Sequence, residues 1–98
     1  MNNRWRLDGR KALITGGTRG IGRATAEQLL QLGAEVFIVA RSERDVTAAV
    51  KSWNADGHSA FGLAADITVE ADRREIFRQI ENEWSRLDVL VNNVGTNV

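Results

Sequence analysis

Lys11-Ala12-Leu13-Ile14-Thr15-Gly16-Gly17-Thr18-Arg19-Gly20-Ile21-Gly22 is the stretch from which the rest of the chain is read. A short apolar run leads into a glycine-rich turn, and an amphipathic segment follows as far as Leu32-Gly33. Strand, glycine turn and helix in that order let backbone N–H groups and a positive helix end face a phosphate. A pyrophosphate needs close backbone approach, which a side chain at a glycine position is expected to block. The stretch therefore names a ligand class and a local fold together.

Working outward, Lys11 to Thr15 reads as a buried strand entered through an Asp8-Gly9 turn. The helix after the glycine turn is expected to carry Ile21, Ala24, Leu29 and Leu32 toward a core and to stop at Gly33. Glu35 to Ala40 holds Val36-Phe37-Ile38-Val39, a continuous run of the kind buried on both faces of a parallel sheet. Ser42 is placed as an N-cap, with Asp45 three residues on. Val46, Ala49, Val50 and Trp53 then mark one face of a second helix, which ends at Asp56-Gly57. Ser59 to Ala64 reads as a weaker strand. Thr68 is expected to cap a third helix whose buried stripe is Ile76, Phe77, Ile80 and Trp84. Leu87 to Val91 is a fourth strand, closed by Asn92-Asn93.

The alternation β-α-β-α-β-α-β predicts an α/β fold with a parallel sheet. In strand order 3-2-1-4, right-handed crossovers put the first two helices on one face and the third on the other. The order reverses between strands 1 and 4, which opens a crevice at the strand carboxyl ends. The glycine turn and Asn92-Asn93 both end strands there.

Composition excludes several alternatives. Thirteen basic and thirteen acidic side chains balance, so no basic footprint points to nucleic acid. There is no cysteine for a disulfide, a thiolate metal site or a thiol nucleophile, and the lone His58 makes no metal site. No apolar run approaches the roughly 20 residues that cross a bilayer. Met1 to Arg6 lacks the apolar centre of a signal peptide, and the chain reads as cytoplasmic. His58 reads as an exposed loop residue, and Trp53 and Trp84 as core or interface.

Thr15-Gly16-x-x-x-Gly20-Ile21-Gly22 resembles the cofactor motif of the short-chain dehydrogenases/reductases. Asn92-Asn93-Val94-Gly95 resembles the Asn-Asn-Ala-Gly motif that ends their fourth strand, with Val in place of Ala. Asp66, in Ala65-Asp66-Ile67, matches the acidic residue that contacts adenine in the family. Together these landmarks reach from residue 15 to residue 95. The glycine spacing departs from the fingerprint Gly-x-Gly-x-x-Gly, and no Gly-Lys-Ser/Thr follows to make a P-loop. Asn-Asn-Val-Gly-Thr-Asn, Gly-Gly-Thr-Arg-Gly-Ile-Gly and Ala-Arg-Ser are similar to the tropinone reductase-like members.

The resemblance implies a Rossmann-type fold, with residues 1–98 forming the first part of an NADP(H)-binding domain. Its cofactor contacts are expected from Gly16, Thr18, Arg19, Gly20, Ile21 and Gly22 in the loop, and from Arg41 and Ser42 after the second strand. Asp66 and Ile67, and then Asn93, Val94 and Gly95, complete the set. Charge argues for the phosphorylated cofactor. An NAD site usually ends the second strand in a carboxylate that binds the ribose 2′-hydroxyl. Here Ala40 stands there, followed by Arg41, and Arg19 supplies a second cation. Charge-assisted hydrogen bonds contribute on the order of 1.5–3 kcal/mol each. Two arginines without a carboxylate thus favour NADP(H) by roughly a hundredfold or more.

The family's chemistry uses a Tyr as proton donor, a Lys four residues later and a Ser that holds the substrate oxygen. This chain has no Tyr, its lysines are Lys11 and Lys51, and no Ser follows Asn93. The chain is expected to be the cofactor-binding half of a ketone/secondary-alcohol oxidoreductase, truncated after the fourth strand and inactive alone. The parent's partners are then a small carbonyl or alcohol substrate and further copies of itself. A non-catalytic dinucleotide-binding or sensing module is the competing reading. A methyltransferase-type nucleotide site is a third, against which Arg41 argues.

Overall fold

The structure is a computed structural model that describes residues 6–93. Its elements are β1 (Lys11–Thr15), α1 (Gly20–Gln31), β2 (Glu35–Ala40), α2 (Glu43–Ala55), β3 (Ala60–Ala64), α3 (Glu70–Glu83) and β4 (Val89–Asn92). The four strands pair in parallel in the order β3-β2-β1-β4. Ile14 at the centre stands opposite Ile38 on one side and Val91 on the other. The first two strands match the sequence reading to the residue, because an unbroken apolar run buried on both faces has one place to start and stop.

Pleat alternation divides the core into two layers. Ala12, Ile14, Val36 and Ile38 face α1 and α2, where Ala26, Leu30, Val46, Ala49 and Trp53 are buried. Leu13, Phe37 and Val39 face α3, through Ile76, Ile80 and Trp84. The first two helices share a face and the third has the other, as right-handed crossovers require. Among the described residues no helix is long and apolar enough to cross a membrane.

Each layer is pinned by a tryptophan. Trp84 meets Phe37 and Phe61 edge-on, with centroids 6.1 and 6.0 Å away. Its indole N–H donates to Glu35 Oε1 at 3.0 Å, and Lys11 donates to the other oxygen at 2.7 Å. In the opposite layer Trp53 Nε1 donates to Glu27 Oε2, which also accepts from Arg23. The Trp53 N–H, and then Arg23, hold the Glu27 carboxyl below the usual carboxylate range.

The expected Ser42 cap is present: its Oγ accepts from the Asp45 N–H at 3.1 Å. Ser42→Ala is expected to cost about 1 kcal/mol, read as a lower midpoint in urea with an unchanged slope.

Several side-chain expectations are corrected. The buried stripe of α1 is Gly22, Ala26 and Leu30. Ile21 is 77% exposed and Ala24 is exposed, while Leu29 and Leu32 are half-buried. At Gly22 the helix lies so close to the glycine turn that no side chain fits. Phe77 is 55% exposed, because α3 alone covers its face of the sheet and turns Phe77 away from it. Thr68 does not cap α3; the N-cap is Val69, with no side-chain bond. Its hydroxyl instead donates to Asp66. Strands β3 and β4 begin at Ala60 and Val89, later than Ser59 and Leu87. His58 is half-buried, with its N–H bonded to the Trp53 carbonyl.

Candidate functional site

A cleft of about 850 Å³ opens at the carboxyl ends of the strands. Its walls come from three connections: Gly16, Thr18 and Arg19 after β1, Arg41 and Ser42 after β2, and Asp66 and Ile67 after β3. Asn93, just beyond β4, completes it. Eight of the expected site residues thus line one surface. Gly20, Ile21 and Gly22 form the first turn of α1, beside the cleft and outside its lining. Val94 and Gly95 lie outside the described residues.

The glycines act differently from the sequence expectation, in which each made room for the ligand. A Cβ on Gly16 would stand 2.6 Å from the Asn93 carbonyl oxygen, and one on Gly17 would stand 2.5 Å from Ile38 Cγ2. A Cβ on Gly22 would run into the Gly16 carbonyl oxygen and come within 2.6 Å of Asn93 Nδ2. These three are small because protein, not ligand, presses on them. Gly20 alone in the loop has open space over its missing Cβ, and its φ of +54° favours glycine.

The floor is held by Thr15, which sequence reasoning passed over as a strand residue. Its Oγ1 donates to Asn92 Oδ1 at 3.0 Å and accepts from the Asn93 N–H at 3.1 Å. Thr15 stands directly opposite Asn92 in the parallel register, and that pairing was the signal available. Asn93 Nδ2 reaches back to the Gly16 carbonyl at 3.5 Å. Thr15→Val keeps the shape and removes the hydrogen bonds of a buried hydroxyl, a long one to the Val91 carbonyl included. The expected loss is about 1–3 kcal/mol by denaturant melt, with amide exchange rising first in β4.

The cleft's electrostatics begin with α1. Its N-cap Arg19 makes no side-chain cap bond, and no acidic residue lies in the first turn. The other two helices each carry two acids there, Glu43 and Asp45 in α2 and Glu70 and Asp72 in α3. The positive end of α1 is therefore the one left unneutralised by its own first turn among the described helices. Arg41 is exposed at the rim. Arg19, its side chain 85% exposed, faces Asp45 at 3.6 Å. Asp45 lines the cleft as well, and its spacing from Ser42 had marked it only as a helix-start residue.

Asp66 is locked rather than free. Its Oδ1 accepts from the Thr68 hydroxyl at 2.6 Å and the Thr68 N–H at 2.9 Å, and its own N–H donates to Asp72. The two Thr68 bonds, and more weakly the Arg41 charge, hold the Asp66 carboxyl below the usual range against a small desolvation effect. A carboxylate stays ionised there, fixed as an acceptor at the cleft wall.

A family model for short chain dehydrogenases matches residues 10–98. A tropinone reductase homolog of Arabidopsis thaliana is 41% identical over 98 residues, 99% of this chain and 37% of that protein. A tropinone reductase homolog of Datura stramonium is 36% identical over 98 residues, again 99% of this chain and 37% of the relative. The Pseudomonas aeruginosa RhlG/NADP active-site complex superposes with a TM-score of 0.88 at 41% identity, covering 98% of this chain and 38% of that one. L-sorbose reductase from Gluconobacter frateurii, complexed with NADPH and L-sorbose, gives a TM-score of 0.90 at 29% identity over 96% of this chain and 36% of that one. The chain thus spans a little over a third of the length of these relatives. With its sheet order, its glycine turn and the Asn92-Asn93 strand end, this chain belongs to the short-chain dehydrogenase family.

Proposed function

We propose that residues 1–98 are the NADP(H)-binding part of a short-chain reductase, one partial domain of a protein that interconverts a ketone and a secondary alcohol. The observation that carries the reading is the α1 N-terminus, uncapped by its own side chain and without a first-turn acid, next to a cleft with Arg19 and Arg41 at its edge. Two of the solved relatives named above are complexes with NADP and NADPH, which supports the choice of cofactor.

In this reading Gly16, Thr18, Arg19, Gly20, Ile21 and Gly22 hold the pyrophosphate through backbone N–H groups and the helix end. Arg41, Arg19 and Ser42 receive the 2′-phosphate. Ser42 accepts from Asp45 with its oxygen, so its hydroxyl hydrogen is left to donate to a phosphate. Asp66 and Ile67 border the adenine, and Asn93 with Val94 and Gly95 borders the nicotinamide ribose. The bound cofactor supplies hydride; the proton donor belongs to the rest of the protein, where a Ser and a Tyr-x-x-x-Lys are expected downstream of Asn93.

The test is calorimetric titration of the chain with NADPH, NADH and S-adenosylmethionine. NADPH is expected to bind roughly a hundredfold more tightly than NADH. Equal affinity for NADH overturns the 2′-phosphate assignment, and preference for S-adenosylmethionine overturns the ligand class. A full-length gene without the downstream Tyr-x-x-x-Lys overturns the reductase and leaves a dinucleotide-binding module.

A further inference from the structure

We infer that Asp45 tunes cofactor preference: its carboxylate competes with the cofactor 2′-phosphate for the Arg19 guanidinium. The inference rests on the NADP(H) reading above and extends it to a residue that the reading does not use.

Asp45 sits in the first turn of α2 and lines the same cleft as Thr18, Arg19, Arg41 and Ser42. An acid at a helix start is ordinarily there to complement the helix end. Glu43 occupies the same turn and is exposed, so that role does not require Asp45. What distinguishes Asp45 is its partner. Its Oδ2 faces Arg19 Nη2 at 3.6 Å, across the gap between the start of α1 and the start of α2. The separation is too long for a good hydrogen bond, and the Arg19 side chain is largely in solvent. Such a pair is weak and readily exchanged for a stronger anion. A dianionic phosphate that also meets Arg41 is a stronger anion.

The consequence is a preference held below the maximum that two arginines allow. Arg19 leaves Asp45 when the phosphorylated cofactor binds, so the attraction lost between them is subtracted from what the phosphate gains. A cofactor without the 2′-phosphate gives Arg19 no reason to leave. Asp45 therefore lowers affinity for NADPH and leaves affinity for NADH nearly unchanged.

The test is a double-mutant cycle on the chain, read by calorimetry with NADPH, NADH and 2′,5′-ADP at two salt concentrations. Asp45→Asn is expected to tighten NADPH and 2′,5′-ADP by about 3–5-fold at low salt and less at high salt, with NADH within about twofold. In an Arg19→Ala background the same change is expected to have at most about a twofold effect. An unchanged NADPH affinity in Asp45→Asn, or equal tightening of NADH, overturns the inference while the wild-type preference for NADPH keeps the cofactor reading. A full effect persisting without Arg19 also overturns it, by showing direct repulsion instead of competition. A wild-type chain that does not prefer NADPH overturns both. Asp45→Gln, which keeps a residue suited to the third helical position, repeats the measurement should Asp45→Asn fold poorly.

Discussion

Replacing Gly22 with alanine is expected to weaken NADPH binding by about a hundredfold and to destabilise the fold, although alanine is the better helix former. Two opposing effects meet at this position. Helix propensity favours alanine by about 1 kcal/mol. Against it, the new Cβ would run into the Gly16 carbonyl oxygen and approach Asn93 Nδ2. Both neighbours are fixed, Gly16 by its N–H bond to the Val39 carbonyl and Asn93 by its N–H bond to Thr15 Oγ1. Overpacking of this kind costs about 1–3 kcal/mol, so the clash wins. Relief requires the loop to move away from β4, and a moved loop aims its N–H groups elsewhere. Losing one or two charge-assisted hydrogen bonds is worth about two decades of affinity. Calorimetry measures the binding and a thermal melt the stability. A variant that binds NADPH like the parent would show that the contact at Gly22 does not set the loop's shape.

Arg41→Asp is expected to reverse the cofactor preference. In the NADP(H) reading proposed above, the change removes one charge-assisted partner of the 2′-phosphate and sets a carboxylate beside it. It also places an acceptor after β2, close to where NAD sites bind the ribose hydroxyl. The swing in the NADPH-to-NADH affinity ratio is expected to be about 100–1000-fold. Arg41 is exposed, and its weak electrostatic effect on Asp66 is the smallest of those acting on that carboxyl, so the fold has little reason to respond. A gain in NADH affinity distinguishes a switched site from a damaged one. A ratio that stays within about threefold of the parent assigns the 2′-phosphate elsewhere.

The elements were legible where one physical constraint dominated. Val36 to Val39 is apolar at every position, and only a strand covered on both faces accommodates that, so β2 and its neighbours in the sheet followed. The Ser42 cap was equally plain, because a hydroxyl three residues before Asp45 has one local use. Contacts decided by distant residues were not legible. Gly22 looked like a ligand-side glycine until Asn93, some seventy positions away, was seen pressing on it. The α1 stripe was read from Ile21, Ala24, Leu29 and Leu32, whereas the buried face runs through Gly22, Ala26 and Leu30, with Gly22 set against the turn. Thr68 carried an N-cap signature, but the cap position falls one residue later on Val69, and the Thr68 hydroxyl donates to Asp66. In the cleft, the two arginines were visible from charge alone. The acid facing one of them was not, because its pairing depends on how two helix starts converge.

The packing of Gly17 against Ile38 has a thermodynamic consequence. Ile38 is fully buried at the centre of the sheet, and the loop's backbone rests on its side chain. Gly16 is tied to Val39 on the same strand. The inner surface of the loop is thus the outer surface of the hydrophobic core, with no intervening layer. A ligand that orders the loop cannot bind the unfolded chain there, so occupancy and folding are linked equilibria. At a ligand concentration a hundred times Kd the linkage adds about 2.7 kcal/mol to stability. For a domain whose total is commonly about 5–15 kcal/mol, the ligand is a substantial part of what keeps the sheet assembled.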